Sequence, residues 1–201
     1  SSAASDVYKR QSMVSKMITK RADAASVVLN NNILWVVGGS FLSSTEYIQI
    51  GIGSSTGPEL PLAVERHAMV ALNQSTFMLI GGWSPSGYTL SKTFYYQESN
   101  QDWIPGPEMD QARYFHAAGL GIDTATSEQY IAVTGGYVGY TLDSVEILYS
   151  GETEWQTGKQ RATTRPHKKG LVVALMCVYV CCLFTFCNVS CLFTCLLYTS
   201  D

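Results

Sequence analysis

The stretch HAMVALNQSTFMLIGG, residues 67–82, contains the pattern that decides the fold. Two short apolar runs flank a polar turn at residues 73–75, and a pair of glycines closes the second run. Short runs bounded by Asn, Ser and Gly are typical of β-strands joined by a tight turn. The stretch therefore predicts strand, turn and strand.

The same unit recurs along the chain. An apolar run ends in a glycine pair three times, and the first glycines are 43 and then 54 residues apart. The pairs are Gly38–Gly39, Gly81–Gly82 and Gly135–Gly136. A self-similar period of this length indicates a repeat architecture in which each unit is one supersecondary element.

Other features keep a fixed place in the unit. His67 and His116 each lie ten residues after the glycine of a Gly-Pro-Glu motif. Met17, Leu60 and Met109 each lie seven residues before the anchor position, which in the first unit is Ala24. The third unit is longer, and we expect the insertion at residues 123–127. No long helical periodicity interrupts residues 12–158, so few helices are expected.

The order of these features resembles the kelch repeat. The glycine pair is followed by a strand such as DSVEILYS (143–150) and then by Trp103 or Trp155, 22 and 20 residues after the first glycine. RYFH (113–116) matches the Arg-x-x-His start of that family. The first two units match in part, with Arg21 before Ala24, Val64 before His67, and Ser54 where a Trp is expected.

The resemblance implies an all-β fold, a partial and open β-propeller of about three four-stranded kelch blades. The blades are expected at about residues 12–60, 61–109 and 110–158, followed by a non-propeller hydrophobic tail. Closed propellers typically have four to eight blades. The chain is therefore expected to be a fragment of a longer protein.

Both ends of the chain depart from the repeat. Residues 1–11 resemble translated sequencing adapter and are treated as an artefact-like or disordered leader. Residues 195–201 resemble the same kind of artefact. The repeat register holds as far as Gly158, and residues 159–201 then form an apolar tail that contains all six cysteines of the chain.

Two interpretations of the tail stay open. Gly-Lys at 158–159 can be encoded GGTAAG, the common start of an intron, so the tail is interpreted as intron read-through. Alternatively, segment 171–199 is long and apolar enough to span a membrane once. The basic residues RPHKK before it would then place the propeller in the cytosol. A cysteine metal site is disfavoured, because the tail has no Cys-x-x-Cys pair.

Composition limits the function. A net charge of −3 gives no basic footprint for nucleic acid, and the absence of cysteine from residues 1–176 excludes a disulfide scaffold there. A copper radical oxidase, a kelch-type enzyme class, needs a Cys cross-linked to a Tyr, which this region cannot supply. The sequence contains no nucleophile, phosphate-loop or metal-ligand pattern. We therefore predict a protein that is not an enzyme and needs no metal or cofactor.

The loops after the glycine pairs are the candidate binding surface. GGWSPSGYTL (81–90) and GGYVGYTL (135–142) contain Trp83, Tyr88, Tyr137 and Tyr140, which we expect to be exposed. The resemblance implies docking of a protein partner at blade ends. An alternative is a substrate-recruiting subunit of a cullin-type ubiquitin ligase, whose BTB and BACK domains would precede residue 12.

Three further groups have structural interpretations beside functional ones. His67 and His116 are expected to make one repeated packing contact rather than to bind a ligand. Trp103 and Trp155 are expected to pack between blades. Asn73-Gln74-Ser75 is a glycosylation motif on a predicted turn, and it has meaning only in a secreted protein.

Overall fold

The computed structural model of the chain describes residues 15–29, 32–49 and 51–157. Within these ranges the chain forms twelve β-strands and no helix. The leader, residues 1–11, and the tail, residues 159–201, lie outside the described residues. The intron and membrane interpretations of the tail therefore stay predictions, and no helix among the described residues is long and apolar enough to cross a bilayer.

The strands form three antiparallel sheets, each of four strands in chain order. Sheet 1 contains β1 (Ala25–Leu29), β2 (Ile33–Val37), β3 (Thr45–Gln49) and β4 (Gly53–Thr56). Sheet 2 contains β5 (Ala68–Ala71), β6 (Thr76–Ile80), β7 (Thr93–Gln97) and β8 (Asp102–Pro105). Sheet 3 contains β9 (Ala117–Ile122), β10 (Gln129–Thr134), β11 (Val145–Tyr149) and β12 (Gln156–Thr157). The predicted all-β fold is confirmed.

The sheets stand side by side, with β5 lying between β1 and β9. Side chains alternate between the two faces of a strand, and both faces of sheet 2 are covered by neighbours. One apolar cluster lies between sheets 1 and 2 and includes Trp35, Phe77 and Tyr96. A second lies between sheets 2 and 3 and includes Met78, Ile131 and Leu148. The arrangement is that of a partial β-propeller.

Each tryptophan of the repeat connects two sheets. The Nε1 of Trp103, in β8, donates a hydrogen bond of 3.1 Å to the Pro58 carbonyl in the connection from sheet 1. The Nε1 of Trp155 donates one of 2.9 Å to the Pro107 carbonyl in the connection from sheet 2. Both rings are buried. The indole therefore adds a directed contact to the area that it buries between sheets.

In sheets 1 and 3, a buried ion pair attaches the segment that precedes the first strand to the third strand of the sheet. Arg21 lies 2.5 Å from Glu46, and Arg113 lies 2.5 Å from Glu146. The Glu46 carboxylate also accepts hydrogen bonds from the N–H groups of Ile18 and Thr19, and Glu146 accepts the equivalent pair from residues 110 and 111. Burial alone would raise the pKa of Glu46, but Arg21 and these N–H groups lower it.

Candidate functional site

The loops after the glycine pairs meet the segments that precede each first strand. Glu65 and Trp83 exchange backbone hydrogen bonds of 3.0 and 2.8 Å, and Tyr114 and Tyr137 exchange bonds of 3.2 and 2.8 Å. In sheet 1 the Ser40 N–H donates to the Ala22 carbonyl. These contacts define one end of the three sheets, which we call the Gly-pair end.

Close backbone approach explains the glycine pairs. Gly38 and Gly81 both have φ of +59°, a left-handed conformation that favours glycine. A methyl group on Gly81 would lie 2.6 Å from the Arg113 carbonyl oxygen, and one on Gly38 would lie 2.6 Å from that of Val64. The second glycine donates across the sheets, since Gly39 and Gly82 bond the carbonyls of Val64 and Arg113. Gly135 and Gly136 also have positive φ.

Three equivalent residues in front of the first strands have unusual backbone geometry. Asp23, Arg66 and Phe115 have φ of +55°, +57° and +55°. The Arg66 N–H donates to the Asp23 carbonyl at 2.9 Å, and the Phe115 N–H donates to the Arg66 carbonyl at 3.0 Å. A ladder of hydrogen bonds thus joins the sheets at this end. Non-glycine residues in this region of φ are strained by about 1–3 kcal/mol, and such residues cluster at functional sites.

Arg66 lies between two aromatic rings. Its guanidinium carbon is 5.6 Å from the centroid of Trp83 and 4.8 Å from that of Phe115. Its Nε lies 3.0 Å from the Asp23 carboxylate and 3.3 Å from that of Glu65. The two cation–π contacts and the two carboxylates beside Nε together hold the Arg66 side chain in one position.

Tyr114 connects the aromatic residues of this end. Its ring is edge-on to Trp83 at 4.6 Å and to Tyr137 at 5.5 Å, and it is 5.2 Å from Phe115. Burial and the nearby Tyr137 raise the pKa of Tyr114, while Arg66 opposes the shift. We call this group the blade-end patch, and its members are Asp23, Glu65, Arg66, Trp83, Tyr114, Phe115 and Tyr137.

The structure brings together two of the four predicted contact residues. Trp83 is half-buried beneath Arg66, whereas Tyr137 is 37% exposed. Tyr88 and Tyr140 are 71% and 61% exposed on the loops of the same end. Trp83 is therefore less exposed than expected, because Arg66 and Tyr114 cover part of its ring.

Sequence reasoning missed five members of the patch that precede the first strands: Asp23, Glu65, Arg66, Tyr114 and Phe115. The signal was available. Asp23, Arg66 and Phe115 each occupy the position before the repeat anchor, and this position differs in every unit. Phe115 is 52% exposed.

The repeated histidines belong to the framework behind the patch. His67 packs on Gly38 and His116 packs on Gly81, with ring carbons about 3 Å from where a methyl group would lie. Burial lowers the pKa of both imidazoles to about 3, and the charge of Arg113 adds to the effect at His116. Neither ring nitrogen of His67 has a hydrogen-bond partner among the described residues.

Metal binding has no support in the part of the chain that the structure describes. There, no group of three or more His, Cys, Asp or Glu side chains could hold an ion. The predicted absence of enzymatic activity and of a cofactor stays a prediction. Asn73 is exposed on the β5–β6 turn, where its Oδ1 accepts hydrogen bonds from the Ser75 N–H and hydroxyl. Its glycosylation also stays a prediction.

Comparison with known proteins gives no family for this chain. No protein-family model matches it, and no curated protein matches it either. The differences among the three sheets are therefore the guide to function.

Proposed function

We propose that this chain is part of a kelch-type β-propeller that binds a protein partner through the blade-end patch and the loops beside it. The observation that carries the proposal is a contrast within the repeat. The glycine pairs and the backbone contacts around them recur, whereas three equivalent positions at the Gly-pair end carry unlike side chains in each sheet.

The framework repeats closely in sheets 1 and 2. The hydroxyls of Thr45 and Thr93 donate to the carbonyls of Pro58 and Pro107, each at 2.8 Å. The first glycine of each pair donates its N–H to the carbonyl of the residue immediately before the third strand of its sheet. These acceptors are Ser44, Lys92 and Ser144 for Gly38, Gly81 and Gly135. These contacts give the Gly-pair end a fixed backbone.

The three variable positions lie on this fixed backbone. They are Ala22, Asp23 and Ser40 in sheet 1; Glu65, Arg66 and Trp83 in sheet 2; and Tyr114, Phe115 and Tyr137 in sheet 3. The side chains change from small or polar in sheet 1, through two charged residues and one aromatic ring in sheet 2, to three aromatic rings in sheet 3, and Glu65 and Tyr114 among them are buried. The glycine pairs, which the close backbone approach requires, are identical in all three sheets, whereas these positions are not.

The composition of the patch suits a protein partner. Trp, Tyr and Arg are enriched among the residues that dominate binding energy at protein interfaces. Rings held by edge-on contacts lose little conformational freedom on binding. Arg66 is likewise restrained before any partner arrives.

The proposal is tested by capture of partners followed by measurement with the purified proteins. We would immobilise the wild-type chain and a variant with Tyr88→Ser, Phe115→Ser and Tyr140→Ser, which removes exposed rings from the Gly-pair end. A matched control carries Ile52→Ser and Ile122→Ser, which lie at the opposite end and are 76% and 60% exposed.

The expected result is a protein retained by the wild type and the control but lost by the triple variant. Calorimetry with the purified partner should then give at least about a tenfold loss of affinity, since truncation of an interface anchor costs about 2 kcal/mol. Equal affinity for all three chains would place the interface elsewhere and overturn the proposal. The near-ultraviolet circular dichroism of the variants checks that they fold.

A further inference from the structure

The two interfaces between sheets are built at equivalent positions with side chains of different size. Trp35 lies opposite Tyr47 across β2 and β3, as Met78 lies opposite Tyr95 across β6 and β7. Trp35 packs on the next sheet, and its ring is 4.6 Å from that of Tyr96. At the second interface the equivalent residue is the unbranched Met78.

The opposing surfaces differ in the same direction. Phe77 pairs with Tyr96 in sheet 2, and Ile131 pairs with Leu148 in sheet 3. Sheet 2 therefore presents two rings to sheet 1, where sheet 3 presents two aliphatic side chains to sheet 2. Three aromatic rings of the first interface have become three smaller side chains in the second.

An open cleft of about 170 Å³ is lined by two of these three smaller side chains, Ile131 and Leu148. Its apolar walls come from both sheets and are Leu72, Tyr95, Leu120, Ile131 and Leu148. The exposed polar side chains of Gln129 and Ser150 also line it. The cleft lies toward the end of the sheets opposite the blade-end patch, since Leu72 begins the β5–β6 turn and Ser150 follows β11.

A pair of equivalent leucines differs in burial between the two interfaces. Leu29 and Leu72 occupy the same register position, because Ala25 pairs with Val37 as Ala68 pairs with Ile80. Leu29 is 1% exposed within the cluster that holds the three rings. Leu72 is only half-buried. A leucine at the same position of the repeat is therefore buried at the first interface and partly exposed at the second.

We propose that the cleft between sheets 2 and 3 binds a small aromatic molecule with one polar substituent, of the phenol class. The missing volume is that of aromatic rings, so a ring replaces the lost contacts with these walls. A buried cavity of similar size that is lined by aliphatic and aromatic side chains binds benzene in another protein. Gln129 and Ser150 supply a donor and an acceptor for one polar group at the open side.

The test is a titration of the full chain with p-cresol, followed through the methyl resonances. Saturable shifts are expected at Leu72, Leu120, Ile131 and Leu148, whereas the methyl groups of Leu29 should not move. Cyclohexanol, which has a hydroxyl but no aromatic ring, is expected to bind more weakly. This site is separate from the blade-end patch, so its failure leaves the proposed function untouched.

A filling variant gives the second arm. Leu148→Tyr places in sheet 3 the side chain that sheet 2 has at the equivalent Tyr96, and the affinity for p-cresol should fall at least about tenfold because the site is occupied. Ile147→Tyr adds the same ring to the opposite face of β11 and should leave the affinity unchanged.

Three outcomes would overturn the proposal. These are no saturable shift at the solubility limit of p-cresol, shifts confined to residues outside the cleft, and equal affinity in the wild type and in a folded Leu148→Tyr variant. If Leu148→Tyr does not fold, Ile131→Phe fills the same space. The methyl map of the wild type decides the location of binding in either case.

Discussion

Val64 and Phe94 lie in the apolar cluster between sheets 1 and 2, at the positions of the repeat that Arg113 and Glu146 occupy as a buried ion pair in sheet 3. The exchange extends to a third residue. Asp110 donates its N–H to Glu146, and the equivalent residue of sheet 2 is Pro61, which has no N–H to donate. Charge, counter-charge and donor have thus been lost together, which avoids an unpaired buried group.

The ion pair of sheet 3 is expected to depend on both partners. Glu146→Gln should lower the free energy of unfolding by about 3–5 kcal/mol, because it leaves the Arg113 charge buried without compensation. The double variant Arg113→Val with Glu146→Phe, which copies sheet 2, should be more stable than either single variant. Urea denaturation of the wild type, Arg113→Val, Glu146→Phe and the double variant measures the coupling energy between the two residues. Additive losses of stability would contradict the expectation.

Acid should destabilise the fold through the two repeated histidines, His67 and His116. Their pKa of about 3 in the folded chain is below the usual value of 6.5, so the unfolded chain takes up protons first as the pH falls. Stability is therefore expected to fall between about pH 6.5 and 3, by up to about 1.4 kcal/mol per pH unit for each histidine.

Urea unfolding at pH 7 and pH 5 measures this dependence. The variant His67→Ala with His116→Ala, which copies Ala24 of sheet 1, is less stable at pH 7 but should lose less on acidification. If the variant loses as much unfolding free energy between pH 7 and pH 5 as the wild type, the acid sensitivity comes from the carboxylates instead.

Trp103 and Trp35 allow a hydrogen bond to be separated from ring packing. Both side chains are buried, but only Trp103 uses its Nε1, which bonds the Pro58 carbonyl, while that of Trp35 has no partner among the described residues. Trp103→Phe should therefore cost about 1 kcal/mol more than Trp35→Phe. Equal losses in chemical denaturation would mean that packing alone gives Trp103 its effect.

Gly81 and Gly87 separate close approach from backbone strain. Both have positive φ, but a methyl group on Gly87 meets nothing within 4 Å, whereas one on Gly81 would collide with the Arg113 carbonyl. Gly87→Ala should cost about 1 kcal/mol from strain alone. Gly81→Ala should lower the free energy of unfolding by more than Gly87→Ala, and its thermal unfolding midpoint should be lower. Equal midpoints for the two variants would show that the sheets move apart without penalty.

Most of the fold could be predicted from the sequence, because its signals are local and repeated three times. Apolar runs of strand length and the glycine pairs mark the hairpins. The insertion in the third unit was also placed near its site, since residues 123–128 connect β9 to β10.

The candidate site was harder to predict, because its members are distant in sequence. Arg66 meets Asp23 only when sheets 1 and 2 pack together, and it covers Trp83, which the loop sequence alone left exposed. The ion pairs were missed for a similar reason. Glu146 lies in a strand of ordinary sequence, and its pairing with Arg113 depends on the linker between sheets.

The left-handed ladder of Asp23, Arg66 and Phe115 has one further consequence. An acid, a base and an aromatic residue adopt the same strained backbone, so the conformation is imposed by the surrounding contacts and does not depend on the side chain displayed. The side chains on the ladder can therefore vary independently of the backbone contacts that fix its conformation. Under the proposed function, exchange of the residues on the ladder would change the specificity of binding without changing the backbone that supports them, much as antibody loops vary on a constant scaffold.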